Sequence, residues 1–504
     1  MTRLGSLCER LERAGLLLSR GAATDDQTHI YHLALDSRKV GPRGLFVAIK
    51  GVDTDGHMFI DKAVQNGAIA VVCEAMPEDH ESRFPGVAFV HVHDGRAAAA
   101  ELAAAFYDDP SRALTLIGVT GTNGKTTVNF LCHHVLKLFD RRPGLIGTIQ
   151  VRIGDEVIES TLTTPDAVEI NALLRRMVDA GCTACVMEVS SHALHQERAR
   201  GLAFDAGIFT NLTQDHLDYH HTLEDYFAAK KKLFDGLSAE AVAAYNADDA
   251  AGVRMVGDTA ARRVSYGLGT DCDVRGEVIS NRLDGIEMEI DGRRRRFRLG
   301  GRFNAYNLLA AYAALIGLGM DAEGVLDALT TAAPVPGRLE TLSFEDGTIV
   351  VLDYAHTPDA LENVLTTILE TKPETSRLWC VFGCGGNRDR EKRPVMGRVA
   401  ERNADRLIVT SDNPRHEDPE AIIEDTLAGL QHPDRASVLV DRAAAIRYVA
   451  EHAAPGDIVL IAGKGHETYQ IIGDERRPFD DKVVAAEAFA HRTLIDAADP
   501  RSKR

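Results

Sequence analysis

The sequence predicts an α/β fold divided into three domains, and two observations support this prediction. The chain has 504 residues, more than one hydrophobic core usually holds, so two to four domains are expected. Short apolar runs typical of strands alternate with helical patterns, the arrangement of parallel sheets covered by helices. Linker-like stretches near residues 107–112 and 333–337 then divide the chain into segments 1–110, 111–335 and 336–504.

The composition argues against several classes of protein. Lys and Arg number 57 against 75 Asp and Glu, and the formal net charge of −18 disfavours a nucleic-acid binder. The one strong basic run, Arg293–Phe297, is expected to be a strand next to a turn. No apolar run reaches the ~18 residues that cross a bilayer, and the start resembles no signal peptide, so we expect a cytoplasmic protein without membrane insertion. The eight cysteines are expected to be reduced and structural.

The first segment, residues 1–110, opens with an amphipathic helical pattern whose apolar stretches are broken by Glu and Arg. The runs GLFVAIKG and GAIAVVCE then predict two short strands with a helix between them. The sequence YDDPSR at Tyr107–Arg112 is expected to be the linker that ends the segment.

The middle segment, residues 111–335, begins with the buried strand Leu114–Val119, followed by the Gly-rich stretch VTGTNGKTT and a helical pattern. In this context, free backbone N–H groups at the helix start bind phosphate. The stretch matches the common phosphate-loop pattern only in part, because Val119 stands where the first glycine would be. Lys125 can reach terminal phosphates and Thr126 can give its hydroxyl to Mg²⁺, so a phosphate site is favoured over a plain turn.

Two further polar clusters follow strands of the middle segment. Glu188 comes after one apolar run, and Asn211, Asp215 and His216 come after another. A carboxylate and an imidazole at neighbouring strand ends could hold a divalent ion beside a triphosphate. Hard cations prefer oxygen ligands, which favours Glu188. For His216 the alternative of a loop histidine that caps a turn stays open.

Three consecutive lysines occur in the run DYFAAKKKLFD. On a helix, Phe227 and Phe234 share one stripe, and Lys230 lies at its edge, whereas Lys231 and Lys232 point elsewhere. An inward lysine would have a lowered pKa and a nucleophilic neutral amine. A lysine that reaches out from the stripe to solvent is the alternative, and the spacing does not decide between them.

The last segment, residues 336–504, contains four apolar strands, each followed at once by polar and glycine residues: TIVVLDYAH, SRLWCVFGCGG, DRLIVTSDNPR and GDIVLIAGKGHE. In open parallel sheets, ligands bind beyond the carboxyl ends of the strands. The four polar clusters are therefore expected to lie at one ligand-binding edge.

Eight motifs, in order over nearly the whole chain, resemble those of the Mur ligase family, ATP-dependent enzymes that extend the peptidoglycan stem peptide. They are TGTNGKTT, MEVSSH, TNLTQDHLDYH, AAKKKLF, GRFNAYN, PGRLE, DYAHTPDAL and GKGHE. The family's own phosphate loop lacks the first glycine of the common pattern. The resemblance implies a uridine-nucleotide domain over residues 1–110, a central P-loop ATPase-like parallel-sheet domain over 111–335 and a C-terminal Rossmann-like domain over 336–504.

The resemblance also implies where ATP and magnesium bind. The implied ATP-binding residues are Gly121, Thr122, Asn123, Gly124, Lys125, Thr126, Thr127, Asn304, Asn307, Arg338, Asp353 and His356. The implied Mg²⁺ ligands are Thr126, Glu188, His216 and Lys230, the last modified by CO₂ to a carbamate. Lys125, Lys230 and His216 would serve catalysis. ATP would phosphorylate a carboxylate, and an amine would then attack the acyl phosphate.

The stretch DSRKVGPRGLFVAIKGVDTDGHMF of the first segment is similar to the uridine-nucleotide domain of one branch of the family, which adds a diamino acid to UDP-N-acetylmuramoyl-L-alanyl-D-glutamate. The implied contacts to this substrate are Ser37, Thr163, Thr164, Ser190, Gln196 and Arg198. The sequence DNPR resembles the signature for meso-diaminopimelate, and the implied contacts to that amino acid are Arg388, Asp412, Asn413, Pro414, Arg415, Gly463 and Glu467.

Several alternatives remain at this point. Arg415 could merely pair with nearby Glu417 or Asp418. The enzyme could add L-lysine instead, although lysine-adding relatives depart from DNPR at the arginine. A folylpolyglutamate synthase and a catalytically silent nucleotide-sugar-binding protein are more distant alternatives. A monomer is expected.

Overall fold

The computed structural model describes residues 1–51, 54–269 and 271–498, with side chains up to residue 490. Three sheets that contain parallel strands follow one another along the chain, and helices cover them, which confirms the predicted α/β class. Within the described part of the chain, no helix has the length and apolar character needed to cross a membrane.

Residues 1–106 form a five-stranded sheet and its helices. The strands are β1 (Thr2–Arg3), β2 (Leu17–Arg20), β3 (His29–Ile30), β4 (His32–Ala34), β5 (Gly44–Val47), β6 (Ala68–Cys73) and β7 (Ala88–Val92), and the helices are α1 (Leu4–Arg13), α2 (Ile60–Gln65), α3 (His80–Arg83) and α4 (Gly95–Phe106). The five-stranded sheet has the order β2-β7-β6-β5-β4, with only β2 antiparallel to its neighbour, whereas β1 and β3 form a separate antiparallel pair. Strands β5 and β6, with helix α2 between them, confirm the two strands and the helix predicted from the runs GLFVAIKG and GAIAVVCE. Small alanine side chains let α4 approach this sheet closely.

The middle of the chain forms an eleven-stranded sheet. Its strands are β8 (Thr115–Thr120), β9 (Pro143–Ile146), β10 (Gln150–Ile153), β11 (Glu156–Glu159), β12 (Ala184–Glu188), β13 (Ala206–Phe209), β14 (Val242–Asn246), β15 (Arg262–Gly267), β16 (Val274–Arg282), β17 (Gly285–Ile290) and β18 (Arg293–Phe297). The order is β11-β10-β9-β12-β8-β13-β14-β15-β16-β17-β18, and β9, β12, β8, β13, β14, β15 and β16 run parallel. Strand β8 therefore lies between β12 and β13, so three polar strand ends meet.

Helices cover both faces of this sheet. They are α5 (Lys125–Leu138), α6 (Ala167–Asp179), α7 (Ser191–His195), α8 (Leu217–His220), α9 (Leu223–Asp235), α10 (Gly252–Met255), α11 (Arg302–Gly317) and α12 (Ala322–Thr330). Helices α5 and α11 pack on one face, and α6 and α9 pack on the other. Before β8, the predicted linker contains a short 3-10 helix, Pro110–Ala113.

The arginine run is the strand β18, as predicted, and its charges are neutralised by neighbouring carboxylates. Arg293 and Arg295 pair with Glu323 of α12 on one face of the strand. Arg294 and Arg296 pair with acidic residues of the hairpin on the other face. This alternation follows from the two-residue period of a strand and accounts for the basic run without a nucleic-acid partner.

The last part of the chain forms a six-stranded sheet. The strands are β19 (Glu340–Ser343), β20 (Ile349–Asp353), β21 (Leu378–Phe382), β22 (Arg406–Val409), β23 (Ala436–Val438), β24 (Ile458–Ala462), β25 (Tyr469–Ile472) and β26 (Glu475–Pro478), and the helices are α13 (Pro358–Thr371), α14 (Lys392–Asn403), α15 (Pro419–Leu427), α16 (Arg442–His452) and α17 (Asp481–Ala498). The order is β19-β20-β24-β21-β22-β23, and all but β19 run parallel. The four predicted apolar strands are β20, β21, β22 and β24, so their carboxyl ends share one edge. Strands β25 and β26 form a separate hairpin.

Candidate active site

Two cavities lie on either side of the loop that follows β8. The first, of about 300 Å³, is lined both by the ends of β8, β12 and β13 and by the polar loops after β20, β21, β22 and β24. The second, of about 420 Å³, lies between that loop, α11 and α13. Both cavities are therefore bounded by the middle and last sheets together.

The stretch VTGTNGKTT forms the turn between β8 and α5, and two of its glycines are required by the geometry. Gly121 has φ 146°, and an added Cβ would lie 1.9 Å from Thr210 Oγ1. Gly124 has φ 88°, and an added Cβ would lie 2.4 Å from Asn307 Oδ1. Val119 is a buried residue of β8 itself, so no glycine is needed there.

The lysine of this loop folds back over it. Lys125 Nζ donates hydrogen bonds to the carbonyl oxygens of Gly121 at 2.9 Å and Thr122 at 2.8 Å. Burial lowers the pKa of Lys125, although the carboxylates of Glu188 and Asp215 oppose that shift. Thr122, Asn123, Gly124 and Thr126 line the first cavity with this lysine, and Thr127 lines the second.

Residues after β13 hold the loop in place, and this role was not predicted. Thr210 Oγ1 donates to the Asn123 carbonyl at 2.6 Å, and Asn211 Oδ1 accepts from the Asn123 N–H at 2.9 Å. Asn123 Nδ2 in turn donates to Asp359 Oδ2 of α13 at 2.8 Å. The loop is thus bonded to the last domain as well as to its own.

Glu188 is a fully buried carboxylate that forms no ion pair within 4 Å among the described residues. It accepts hydrogen bonds from the hydroxyls of Thr126 and Thr148, each at 3.0 Å, and from the Thr148 N–H at 2.8 Å. No Lys, Arg or His of the described residues lies within 4 Å of it. An uncompensated buried charge is costly, so oxygen ligands at Glu188 and Thr126 fit a divalent cation.

His216 lies beside Asp215 and faces the first cavity. Its Nε2 is 3.3 Å from Asp215 Oδ2, and it makes no side-chain cap to α8, which disfavours the capping alternative. Burial lowers the pKa of His216 to about 3 despite the opposing charge of Asp215. The imidazole is therefore neutral near neutral pH, the form that can act as a metal ligand.

Lys230 points inward, as the helical stripe allowed. It is 1% exposed, and its Nζ donates to the Gly121 carbonyl at 2.8 Å beneath the loop. Burial, and then the positive charge of Lys125, lower its pKa well below the usual value. Lys231 pairs with Asp235, and Lys232 pairs with Glu197 on the outer side of α9. The snorkelling alternative therefore does not hold for Lys230.

The other residues expected to bind ATP are divided between the two cavities. Asn307 and Asp353 line the second cavity, His356 lines the first, and Arg338 lines both. Asn304 instead donates to the Gly300 carbonyl at 2.6 Å and borders a smaller cavity of about 180 Å³. Its Oδ1 accepts from Asn307 at 2.8 Å, so it supports Asn307 from behind.

Of the residues expected to bind the nucleotide-sugar peptide, only some line the first cavity. Thr163 and Ser190 line the first cavity. Thr164 is buried behind them and donates to the Glu188 carbonyl at 2.8 Å, and Arg198 donates to the Thr164 carbonyl at 2.8 Å. Gln196 binds Arg198, and neither lines the cavity. Ser37 is buried in the first domain, away from the cavity wall.

The residues expected to bind the amino acid gather on the opposite wall. Those lining the first cavity are Arg388, Asp412, Asn413, Arg415, Gly463 and Glu467. Pro414 is not on the wall but precedes Arg415, whose φ of 53° is left-handed. Arg415 Nη1 donates to the Gly386 carbonyl at 2.8 Å.

The alternative in which Arg415 pairs with a neighbouring carboxylate is wrong. Glu417 is held by the buried Arg393 at 2.9 Å, and Asp418 caps α15. No carboxylate among the described residues lies within 4 Å of Arg415. The guanidinium thus faces the cavity with its charge unpaired.

Several residues of the site were missed from the sequence, among them Thr148, Lys392 and Lys464. Thr148 supports Glu188, Lys392 lies 3.9 Å from Asp215 at the start of α14, and Lys464 is enclosed next to Glu467. Thr148 follows the end of β9, so its position at the polar edge of the sheet was a usable signal. The two lysines lie inside the polar clusters GNRDREKRP and GKGHE, where neighbouring residues were chosen instead.

Comparisons with known proteins agree with this geometry. Three family models match: "Mur ligase family, catalytic domain" at residues 29–107, "Mur ligase middle domain" at 119–315 and "Mur ligase, glutamate ligase domain" at 337–465. A protein of Cytophaga hutchinsonii named UDP-N-acetylmuramoyl-L-alanyl-D-glutamate–2,6-diaminopimelate ligase is 46% identical over 94% of this chain and 96% of its own. One of the same name from Parabacteroides distasonis is 45% identical over 92% and 96%.

Solved structures extend the comparison. A structure carrying that same enzyme name is 34% identical, with a TM-score of 0.65 over 93% of this chain and 97% of its own. The Mycobacterium tuberculosis folylpolyglutamate synthase shares the fold at 19% identity and a TM-score of 0.59, over 80% of this chain and 95% of its own. With three matching models in order and relatives above 40% identity along nearly its full length, this chain belongs to the Mur ligase family.

Proposed function

We propose that this protein is an ATP-dependent ligase that adds meso-2,6-diaminopimelate to UDP-N-acetylmuramoyl-L-alanyl-D-glutamate, a step in peptidoglycan precursor synthesis. The observation that carries the proposal is one cavity with a phosphate loop on one wall and the unpaired Arg415 on the other. Such a cavity suits an activated carboxylate at one side and an amino acid with a free distal carboxylate at the other. The names of the relatives described above agree with this assignment.

The reaction would proceed through an acyl phosphate, because a free carboxylate is a poor acyl donor. An oxygen of the D-glutamate side-chain carboxylate attacks the terminal phosphorus of ATP, and ADP leaves. The amine of the incoming amino acid then attacks the acyl carbon, phosphate leaves with that oxygen, and the amine loses a proton. Lys125 would move from its loop carbonyls to the phosphates and offset their charge in the transition state.

The metal ligands belong to the proposal as well. Thr126 and Glu188 would hold Mg²⁺ beside the phosphates, and His216 with carbamylated Lys230 would serve a second ion. When bound, magnesium offsets the charge of the transferred phosphoryl group. The lowered pKa of Lys230 favours the neutral amine, the form that can add to CO₂ and release one proton.

We assign the remaining contacts by position. Ser37 in domain 1–110 would contact the uridine nucleotide, and Thr163 and Ser190 in domain 111–335 would contact the sugar-peptide part, with Thr164, Gln196 and Arg198 supporting them. ATP would extend into the second cavity beside Asn307 and Asp353. Domain 336–504 would bind the amino acid. We expect a cytoplasmic protein, because both ATP and UDP-linked precursors are intracellular, and we expect it to be a monomer.

Two measurements test the proposal. A panel of amino acids with ATP and the UDP-dipeptide should give rapid turnover with meso-diaminopimelate and little with L-lysine or L-glutamate. With ¹⁸O in the D-glutamate side-chain carboxylate, label should appear in the released phosphate. Lys125→Ala should abolish both the turnover and the transfer of label to phosphate, while the protein stays folded. Label that remains only in the peptide would rule out the acyl phosphate.

Addition of L-lysine is the second candidate. The unpaired Arg415 argues against it, because lysine has no distal carboxylate to neutralise that charge. The fold shared with a folylpolyglutamate synthase does not by itself distinguish the substrates.

A further inference from the structure

A fully enclosed lysine lies under the amino-acid wall of the first cavity. Lys464 follows β24, is 0% exposed and does not line the cavity. Its Nζ donates to Glu467 Oε2 at 3.0 Å and to Asn413 Oδ1 at 3.2 Å, and it lies 3.9 Å from Asp412 Oδ1. A buried ammonium keeps its charge only when such partners compensate for the lost water.

The bonds around this lysine fix one oxygen of Glu467. Asn413 Oδ1 accepts from both Lys464 and the Ile471 N–H, so the amide can present only its Nδ2 to Glu467. That Nδ2 donates to the same Oε2 at 2.9 Å. Glu467 Oε1 has no hydrogen-bond partner among the described residues, although the side chain lines the cavity.

The carboxylates around Lys464 also outnumber the cations. Asp412 and Glu467 supply two carboxylates, and Lys464 is the one described cation within 4 Å of them. The neighbouring Arg442 is neutralised by Asp481 at 2.7 Å, with both side chains fully buried. One negative charge on the cavity wall is therefore left for a cation of the ligand to neutralise. The neighbouring guanidinium of Arg415 is likewise left for an anion of the ligand.

We propose that Lys464 is a positioning residue that sets specificity for the distal ammonium group of the amino-acid substrate. It holds Glu467 Oε2 and the Asn413 amide, so that Oε1 is presented to a ligand ammonium. Lys464 itself does not touch the ligand. The inference rests on the proposed function, since it concerns the amino acid that the ligase adds.

The test compares two amino acids in the full-length enzyme. L-2-Aminopimelate keeps the reacting amine and the distal carboxylate of meso-diaminopimelate but lacks the distal amine. In Lys464→Met, kcat/KM for meso-diaminopimelate should fall about 100-fold, mostly through KM, as expected when a buried ion pair loses one partner. For L-2-aminopimelate the loss should stay below about threefold, because no ammonium is there to bind. The ratio of the two kcat/KM values should therefore fall by at least about 30-fold.

Lys464→Gln provides a second variant that keeps hydrogen-bonding capacity without the charge, in case Lys464→Met does not fold. Lys482→Met is the matched control, because Lys482 is half-exposed, pairs with Glu340 and lies outside both cavities. We expect that control to behave as the wild type does.

Equal losses for both amino acids, or unchanged discrimination, would overturn the role of Lys464. Failure of the proposed function would be distinguishable from either result. In that case the wild type itself would use neither amino acid, or would not prefer meso-diaminopimelate.

Discussion

At the scale of single residues, the site depends on which charges are already paired. Arg393 is fully buried and forms an ion pair with Glu417. Glu417 is a carboxylate that, from its nearness in the sequence, could have paired with Arg415. Arg415 is left to bond backbone carbonyls, which orient the guanidinium without neutralising it. A charged group kept in this way is available for a ligand of opposite charge.

Arg415→Ala tests this assignment. Loss of one side of a partly desolvated ion pair typically costs ~2–5 kcal/mol, so kcat/KM for meso-diaminopimelate should fall by orders of magnitude. Acyl-phosphate formation should continue, since Arg415 lies on the opposite wall from the phosphate loop. Exchange of ¹⁸O between the bridging and non-bridging positions of ATP, with dipeptide and no amino acid, measures that step. Comparable wild-type turnover with L-lysine would contradict the specificity, although not the ligase activity.

Asp353 gives a pH-dependent prediction about stability. Burial raises its pKa from 3.8 to about 6, although Arg338 opposes the shift. The folded state therefore keeps a proton that the unfolded state has released, and the free energy of unfolding falls as pH rises towards about 6. Relative to the wild type, Asp353→Asn should gain about 1 kcal/mol of stability on going from about pH 5 to about pH 7.5.

Chemical unfolding at the two pH values measures this gain. Glu374→Gln, at an exposed position, serves as the control and should show no such difference. A pH-independent effect of Asp353→Asn would mean that this carboxyl group is ionised throughout the range.

At the scale of elements, the geometry of α9 places three consecutive lysines in different environments. The 100° turn between successive residues buries Lys230 and leaves Lys231 and Lys232 beside carboxylates at the surface. The loop after β8 depends in the same way on its neighbours, because Thr210 and Asn211 of the adjacent strand end hold its backbone.

Substitution along α9 separates these environments. Lys230→Ala should be nearly inactive, because no carbamate can form, whereas Lys231→Ala and Lys232→Ala should keep close to wild-type turnover. Surface ion pairs of this kind contribute only ~0–1 kcal/mol, so folding should survive in both controls. Formate or acetate should restore part of the Lys230→Ala activity. Equal tolerance at all three positions would show that Lys230 has no catalytic part.

At the scale of the whole molecule, the middle and last domains meet across the cavities through few polar contacts. One is the bond from Asn123 of the phosphate loop to Asp359, and another is the bond that Arg338 donates to Thr126 Oγ1 at 3.2 Å. Lys392 of α14 also approaches Asp215 at 3.9 Å. The ion pair between Arg476 and Glu159 joins the same domains at an exposed edge.

Asp359→Ala should loosen this arrangement. A hydrogen bond to a charged group contributes ~1.5–3 kcal/mol, so kcat/KM for ATP should fall about tenfold as the closed form becomes less populated. Small-angle X-ray scattering should show a larger radius of gyration. Glu159→Ala removes the exposed contact and should change kcat/KM for ATP less than about twofold, as for other surface pairs, and leave the radius of gyration unchanged. Equal effects of the two variants would exclude a special role for the loop contact.

The sequence by itself determined the α/β class, the phosphate loop and the four parallel strands of the last domain. Each depends on local pattern: apolar runs of strand length, glycines where the backbone must turn, and polar residues at strand ends. That Lys230 could face inward was also predicted from local pattern, because helical spacing places it beside Phe227 and Phe234.

Only the tertiary structure decided which polar residues face a ligand and which support them. Asn304, Thr164 and Asn413 are among the implied ligand contacts, yet their side chains are bonded to Gly300, Glu188 and Lys464. Lys464 was overlooked because nothing local distinguishes a lysine that reaches solvent from one enclosed by carboxylates. Its partners Asn413 and Glu467 come from two different strand ends, and hydrogen-bond pairing between such ends is set by the sheet order, which no local pattern encodes.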